Sequence, residues 1–358
     1  MKIASIVGAR PQFVKLAPFS KKIREKNHEI IIHTGQHYDV NMSASFFKEL
    51  DIPNPDYHLE IGSDTHAKQT GKMLAELEDV FVKEQPELVV VFGDTNSTLA
   101  GALAAAKLHI PILHIEAGLR SFNRKMPEEI NRVATDHISS FLYAPTEAAM
   151  INLSKEGLKD ISYLTGDIMV DSLKLALEKS KGRELVNEKM GLNKEEYYLL
   201  TLHRPQNVDN YEYLSNLLKK MNKLDLPVIF PVHPRTRKIL RDYVPNTLDE
   251  TYPAIRFIEP VGYLDFINLQ ANSKAVVTDS GGIQKEAYIL KRPCVTVRTE
   301  TEWIETVNSG WNKLLAPDSE NFIEQIVQHR PLNEYHDLFG QNVAAKMSEI
   351  IDSMELKF

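Results

Sequence analysis

Two carboxylates, Asp94 and Glu116, each follow a short apolar run, at 88–92 and 110–115. A carboxylate at the end of a parallel strand is fixed in place and partly desolvated. Burial raises its pKa toward the range useful for proton transfer. Taken singly, each also reads as a solvated cap residue. Around them the first half of the chain carries Arg10, Lys15, Arg120, Glu128 and Glu129, and the second half carries His203, Arg204, His233, Arg235, Ser280 and Glu286. Several acids and bases ending neighbouring strands point to an enzyme.

A second chemical signal is Thr278-Asp279-Ser280-Gly281-Gly282, set between the strand-like Ala275-Val276-Val277 and a helical pattern through Leu290. Two glycines at the start of a helix let an anion approach backbone N–H groups that lack helical partners. Glu286, one turn into that helix, can accept hydrogen bonds from sugar hydroxyls. For two glycines and a serine alone, a tight turn without ligand is an equal reading. No glycine-rich nicotinamide fingerprint follows the first strand, because Gly8 stands alone before Ala9-Arg10-Pro11, and no Walker sequence occurs. His28, His33 and His37 span strand and turn without ligand spacing, so they read as structural or solvated and no metal is assigned.

The elements that must hold these residues are an alternation of strands and helices. Apolar strands are expected at 3–7, 29–33, 88–92 and 110–115, with helices over 13–26, 67–84 and 99–107. Short uninterrupted apolar strands between helices mean a parallel sheet covered on both faces. The polar residues gather just after the strands, where open α/β sheets bind ligands. The pattern resets after Gly166-Asp167: a helix over 171–187, strands at 197–201, 227–231, 256–259, 275–277 and 294–297, and a helical segment over 332–358. The organisation expected is an α/β chain of two doubly wound, Rossmann-like domains, 1–167 and 168–337, facing a central cleft, with 338–358 packing back on the first.

Composition fits that picture. At 358 residues the chain exceeds the usual size of one hydrophobic core. It is 43% hydrophobic and 25% charged, as soluble globular proteins are. A net charge of -7 with no basic tail argues against nucleic acid as a partner, though not against a local pocket for a small anion. The one cysteine, Cys294, lies in an apolar run, which excludes disulfides and thiolate clusters. With no signal-peptide pattern and no run of membrane-spanning length, a cytoplasmic protein without membrane association is expected.

At this point the residues form a known pattern. Gly8-Ala9-Arg10-Pro11-Gln12-Phe13-Val14-Lys15, Gly93-Asp94-Thr95, His114-Ile115-Glu116-Ala117-Gly118-Leu119-Arg120, Pro127-Glu128-Glu129-Ile130-Asn131-Arg132 and Thr278-Asp279-Ser280-Gly281-Gly282-Ile283-Gln284-Lys285-Glu286-Ala287 run through nearly the whole chain. In combination they resemble the non-hydrolysing UDP-N-acetylglucosamine 2-epimerases, whose fold is of the glycosyltransferase-B type. The resemblance implies that Ser280, Gly281 and Gly282 hold the UDP diphosphate, with Glu286 on the ribose and Arg10 and His203 against the phosphates. Arg204 and His233 would join them, and the backbone around Gly262 would lie near the uracil. Asp94, Glu116 and Glu128 would be the catalytic carboxylates, with Lys15 beside them. The implied reaction is anti elimination of UDP to a 2-acetamidoglucal and readdition with inversion at C2. It uses no nicotinamide or other cofactor and no metal. The family is commonly dimeric, so a homodimer is expected, its interface on first-domain helices including 67–84.

Two departures stand out. Many members read His-Arg-Arg-Glu-Asn where this chain has His203-Arg204-Pro205-Gln206-Asn207. Gln36 and His37 match the region where bacterial members bind UDP-N-acetylglucosamine as an allosteric activator, but Tyr38-Asp39 replace the usual run. The opening motif with Gln36-His37-Tyr38-Asp39 also looks like a branch acting on UDP-2,3-diacetamido-2,3-dideoxyglucuronate. That substrate's extra carboxylate asks for a spare cation, for which Arg120, Arg124 and Lys125 are the candidates. Two alternatives of other classes are a UDP-sugar-dependent glycosyltransferase, which shares the nucleotide site, and a non-catalytic nucleotide-sugar sensor.

Overall fold

In the computed structural model of the chain, the residues described are 1–36, 46–243 and 247–354, the side chains at 205, 206, 234 and 235 excepted. The chain divides into two compact units, Met1–Leu175 with Leu338–Phe358, and Ala176–Asp337.

The first unit is built on strands β1 (Lys2–Val7), β2 (His28–His33), β3 (Tyr57–His58), β4 (Leu88–Phe92), β5 (Ile112–Ile115), β6 (Phe141–Ala144) and β7 (Ser162–Leu164). They form one seven-stranded sheet in the order β3-β2-β1-β4-β5-β6-β7, with every neighbouring pair parallel. All five residues of β4 are buried, as a strand covered by helices on both faces requires. The covering helices include α1 (Arg10–Ile23), α2 (His66–Glu84), α3 (Asn96–Lys107), α4 (Pro127–Ile138) and α5 (Glu147–Lys155). Strand order reverses between β1 and β4. At such a switch point the connections leave to opposite sides and open a crevice beyond the carboxyl ends. Gly8 and Gly93-Asp94 lie at those ends.

Helix α6 (Met169–Ser180) carries the chain from one unit into the other. The second unit repeats the architecture with β8 (Tyr198–Thr201), β9 (Val228–Pro231), β10 (Ile255–Ile258), β11 (Ala275–Thr278), β12 (Cys294–Thr296) and β13 (Asn312–Leu314). Their order is β10-β9-β8-β11-β12-β13, again parallel. Its switch point lies between β8 and β11, so Leu202-His203 and Asp279-Ser280 emerge side by side. Helices α7 (Tyr211–Met221), α8 (Pro234–Tyr243), α9 (Tyr263–Asn272) and α10 (Gly281–Ile289) follow four of the strands or lead into them. One core joins Leu200, Phe230 and Val277 of the sheet to Leu214 and Leu218 of α7.

Several element bounds differ from the sequence expectation for local reasons. The first helix begins at Arg10 rather than 13. Pro11 occupies its first turn, where a missing N–H costs nothing, and Gln12 Oε1 accepts from Gly8 N (2.8 Å) and Ala9 N (3.1 Å). The helix expected over 99–107 starts at Asn96 because Thr95 caps it, its side chain accepting from Thr98 N. The helix expected over 171–187 stops at Ser180, before Gly182 at φ +76°, and only Val186–Lys189 is helical beyond. Of the helix expected over 332–358, the described residues form only α11 (Val343–Ser353), preceded by Gly340 at φ +81°. α11 belongs to the first unit: Ala344 N donates to Asp171 Oδ2 (2.7 Å), and Tyr143 Oη donates to the Met347 carbonyl (3.1 Å).

Candidate active site

The first unit gathers its polar residues at the β1/β4 switch point. Asp94 follows β4 through Gly93, whose φ of +65° turns the chain into α3. The Asp94 carboxylate Oδ2 accepts from Arg132 Nε (3.0 Å) and Nη2 (2.7 Å), while Asn131 Nδ2 donates to the Asp94 carbonyl (2.9 Å). Both partners come from α4. A Cβ added at Gly93 would lie 3.1 Å from Glu116 Oε2 and 3.2 Å from Lys15 Nζ, which places that ion pair directly beside Asp94. Lys15, buried on α1, donates to Glu116 at the end of β5. Glu116 holds φ +75°, uncommon for a side-chain-bearing residue, and its N–H donates to the Tyr143 carbonyl (3.1 Å).

These neighbours set the charge of Asp94. Its side chain keeps 30% of its surface open, yet the atoms packed around it disfavour its charge and push its pKa up. Arg132 opposes that rise and Glu116 reinforces it. A carboxylate balanced in this way can exchange a proton at a pH where an ordinary aspartate stays ionised.

The remaining first-unit candidates are placed differently from one another. Glu128 is exposed in the first turn of α4, whereas its neighbour Glu129 is buried. Glu129 Oε2 accepts from Arg132 Nη1 (2.9 Å) and Ser121 N (2.9 Å), and Oε1 accepts from Phe122 N (2.8 Å). Those bonds hold its pKa below the usual range against the opposing effect of burial. Arg10 lies over the Phe46 ring at 4.7 Å. The Arg120 guanidinium is only 1% exposed: its Nη2 contacts Asp136 Oδ2 and Glu156 Oε2 at 2.7 Å each, and Nε donates to Glu156 Oε1 at 2.8 Å. Arg120 is therefore engaged inside the unit, unlike Arg124 and Lys125, which are exposed. Gln36 Oε1 accepts from Ser97 N (2.9 Å) and Oγ (2.7 Å), tying it to the start of α3. His37 lies outside the described residues, as does the side chain of Arg235. His33 stacks on Phe13 and His58, its Nδ1 accepting from Gly35 N, and burial pushes its pKa down to about 4.

In the second unit the β8/β11 switch point is organised by Asp279, whose side chain is fully buried. Its carboxylate accepts from His203 N (3.1 Å), Arg204 N (3.0 Å) and Asn207 Nδ2 (2.8 Å), with His203 Nδ1 at 3.0 Å. Burial resists its charge, but His203 and Asn207 outweigh that and hold its pKa below the ordinary value. Arg204 Nε donates to the Asp279 carbonyl (3.0 Å), and the His203 ring remains 60% exposed. Ser280 caps α10, its Oγ accepting from Ile283 N. A Cβ at Gly281 would lie 1.9 Å from Glu302 Oε1, so a side chain there requires the Glu302 carboxylate to move, while Gly282 has open space beside it. Glu286, half-buried on α10, is close enough to Tyr263 to disfavour ionisation of that buried phenol. Exposed His233 and Gly262 follow β9 and β10. Every second-unit candidate thus lies beyond the carboxyl end of a strand.

Glu129 is a candidate from the sequence, but its partner Arg132 and the buried Asp136 carry no role there. Glu129, Arg132 and Asp136 are spaced three and four apart and share one face of α4, a periodicity legible in the sequence. Asp279 stands out in the sequence only as part of Thr278-Asp279-Ser280-Gly281-Gly282. Its part in holding the His203 segment follows from β8 lying next to β11, which no local pattern states.

Among the described residues no group of three or more His, Cys, Asp or Glu side chains could hold a metal ion, and no helix is long and apolar enough to cross a membrane.

Comparison with known proteins places these geometries in context. A family model described as UDP-N-acetylglucosamine 2-epimerase matches residues 21–354. A UDP-N-acetylglucosamine 2-epimerase homolog of Methanococcus maripaludis is 52% identical over 358 residues, covering 99% of this chain and 100% of its own. A UDP-2,3-diacetamido-2,3-dideoxy-D-glucuronate 2-epimerase of Pseudomonas aeruginosa is 47% identical over 333 residues, 90% of this chain and 91% of its own. The crystal structure of Methanocaldococcus jannaschii UDP-GlcNAc 2-epimerase, in complex with UDP-GlcNAc and UDP, superposes with a TM-score of 0.88 at 45% identity, covering 99% of this chain and all of that one.

Proposed function

The chain belongs to the UDP-N-acetylglucosamine 2-epimerase family, and from that membership we propose that it inverts C2 of UDP-N-acetylglucosamine to give UDP-N-acetylmannosamine. It is an enzyme, and the observation that carries the assignment of its chemistry is the grouping of Asp94, Glu116 and Lys15 at one switch point. The proton at C2 of a 2-acetamido sugar is weakly acidic, so a carboxylate removes it only as the diphosphate departs. In elimination the C1–O bond breaks with its electron pair going to UDP, the C2 proton passes to a carboxylate, and a 2-acetamidoglucal forms. In readdition UDP returns to C1 and a second group delivers a proton to the opposite face of C2. Asp94 and Glu116 are the proposed pair, Lys15 balances the charge of Glu116, and Glu128 is the further candidate carboxylate.

The second unit's residues are assigned to UDP. The N–H groups at the start of α10, beside Ser280, Gly281 and Gly282, receive the diphosphate, and Glu286 receives the ribose hydroxyls. His203, Arg204 and His233 supply cationic or hydrogen-bonding groups to the leaving phosphates. Preorganised donors of this kind stabilise charge as it develops. Gly262 presents backbone near the base. No step requires a nicotinamide or a metal.

The Pseudomonas relative supports a second reading, a UDP-2,3-diacetamido-2,3-dideoxyglucuronate substrate. Arg120 argues against it, because the cation best placed in sequence to meet an extra carboxylate is committed to Asp136 and Glu156. Measuring kcat/KM for both nucleotide sugars tests the choice. UDP-N-acetylglucosamine should be turned over with the higher kcat/KM, and a preference for the diacetamido uronate would reverse the choice. Assembly as a homodimer through first-unit helices is part of the same reading. Sedimentation at micromolar concentration should then return twice the 40.7 kDa chain mass, and a single-chain mass would remove it.

A further inference from the structure

His114 in β5 and Asp136 in α4 are both completely buried, and no step above uses either of them. Asp136 Oδ1 lies 2.6 Å from His114 Nδ1, and His114 Nε2 lies 2.7 Å from the Gly93 carbonyl. The carboxylate and the carbonyl are both acceptors, so each ring nitrogen must donate. A ring with a bare nitrogen would set a lone pair against an oxygen. Asp136 is ionised: burial resists its charge, but the His114 hydrogen bond and the Arg120 guanidinium hold its pKa below the ordinary value.

The bond to Gly93 has a local consequence. The Gly93 carbonyl and the Asp94 N–H belong to one planar peptide, so fixing the carbonyl fixes the entry into Asp94. The other oxygen of Asp136 serves the second carboxylate. Oδ2 accepts from Gly118 N (3.1 Å) and contacts Arg120 Nη2 (2.7 Å), closing the turn that begins at Glu116. Glu116 holds its φ of +75° in that turn, a conformation that persists only where surrounding structure over-determines it.

We propose that the buried His114–Asp136 pair positions Asp94 and Glu116 relative to one another, His114 through the Gly93 carbonyl and Asp136 through the turn over 116–120. The proposal rests on the reading of Asp94 and Glu116 as the proton-transfer pair. It gives a buried aspartate in the last turn of α4 a task in the reaction without contact with the sugar.

Three variants test it. Asparagine at 114 can place its amide nitrogen where the ring has Nδ1, and glutamine where it has Nε2. H114N therefore keeps the bond to Asp136 and loses Gly93, while H114Q keeps the bond to Gly93. Asp136→Asn and His114→Asn should lower kcat about tenfold or more, with KM for UDP-N-acetylglucosamine within about twofold of wild type. H114Q should retain several-fold more activity than H114N. A purely structural role predicts no such ranking, and equal kcat in H114N and H114Q, or wild-type kcat in a folded D136N, overturns the proposal. Should D136N fail to fold, the two His114 variants keep the buried carboxylate and decide alone. Backbone NMR gives a readout independent of turnover: the Asp94 amide should shift in H114N and stay near its wild-type position in H114Q. An unmoved Asp94 amide in H114N contradicts the inference even if no UDP-sugar is epimerised, so its failure and that of the proposed function are told apart.

Discussion

The carboxylate of Asp94 sits between an arginine that favours its charge and a glutamate that opposes it, and that balance makes its behaviour testable. As proton-transfer group, its loss in D94N should reduce kcat by about 10²–10⁴, with UDP affinity retained. Its pKa is raised, so the basic form is lost as pH falls through a value above that of an ordinary aspartate. Arg132→Gln removes the opposing cation and should move the acid limb of kcat/KM to higher pH; an unmoved limb would take Asp94 out of the base role. Asp279 has the opposite sign. Its folded pKa lies below the ordinary value of 3.8, so its stabilisation is complete above that pH and is lost as pH falls toward the folded pKa. Melting temperatures measured down that window should fall more steeply for wild type than for D279N. Asp94 and Glu116 were legible because each ends an apolar run. The partners of Arg120 were not, since Asp136 lies on a later helix and Glu156 just past the end of another, and nothing local marks them as neighbours.

At the scale of elements, strands were easier to read than helix ends. Leu88–Phe92 is an unbroken apolar run whose bounds match the expectation, because burial on both faces leaves no polar position to blur it. The short strands Tyr57–His58 and Ser162–Leu164 at the sheet edges carry a partly polar pattern and gave no signal. The helices at Arg10 and Asn96 start about a turn ahead of the expectation, the second because Thr95 caps it. The start of α10 tests the assignment of that element to diphosphate. Gly281→Ala would drive a Cβ to 1.9 Å from Glu302 Oε1, so either Glu302 or the helix start must shift. Titration calorimetry with UDP should show affinity reduced about tenfold, or about 1.4 kcal/mol. Ser280→Ala removes only a cap and should cost about 1 kcal/mol of stability. UDP affinity unchanged in G281A would move the diphosphate elsewhere.

For the whole molecule, the reset after Gly166-Asp167 was visible because two strand–helix alternations occur in one chain too long for one core. The second alternation has no residue-for-residue likeness to the first, so its site had to be found from strand ends rather than by repetition. Both sheets are all-parallel with one switch point each, and at both switch points the polar residues gather beyond the strands. The return of α11 to the first unit depends on contacts far apart in sequence, such as Tyr143 with Met347, and no composition signal announces them. Inversion at C2 with exchange of its proton can be followed by proton NMR of UDP-N-acetylglucosamine turned over in D2O. Deuterium is expected at C2 of the UDP-N-acetylmannosamine that accumulates. A manno product retaining its original C2 proton, or no exchange with either nucleotide sugar, would contradict it.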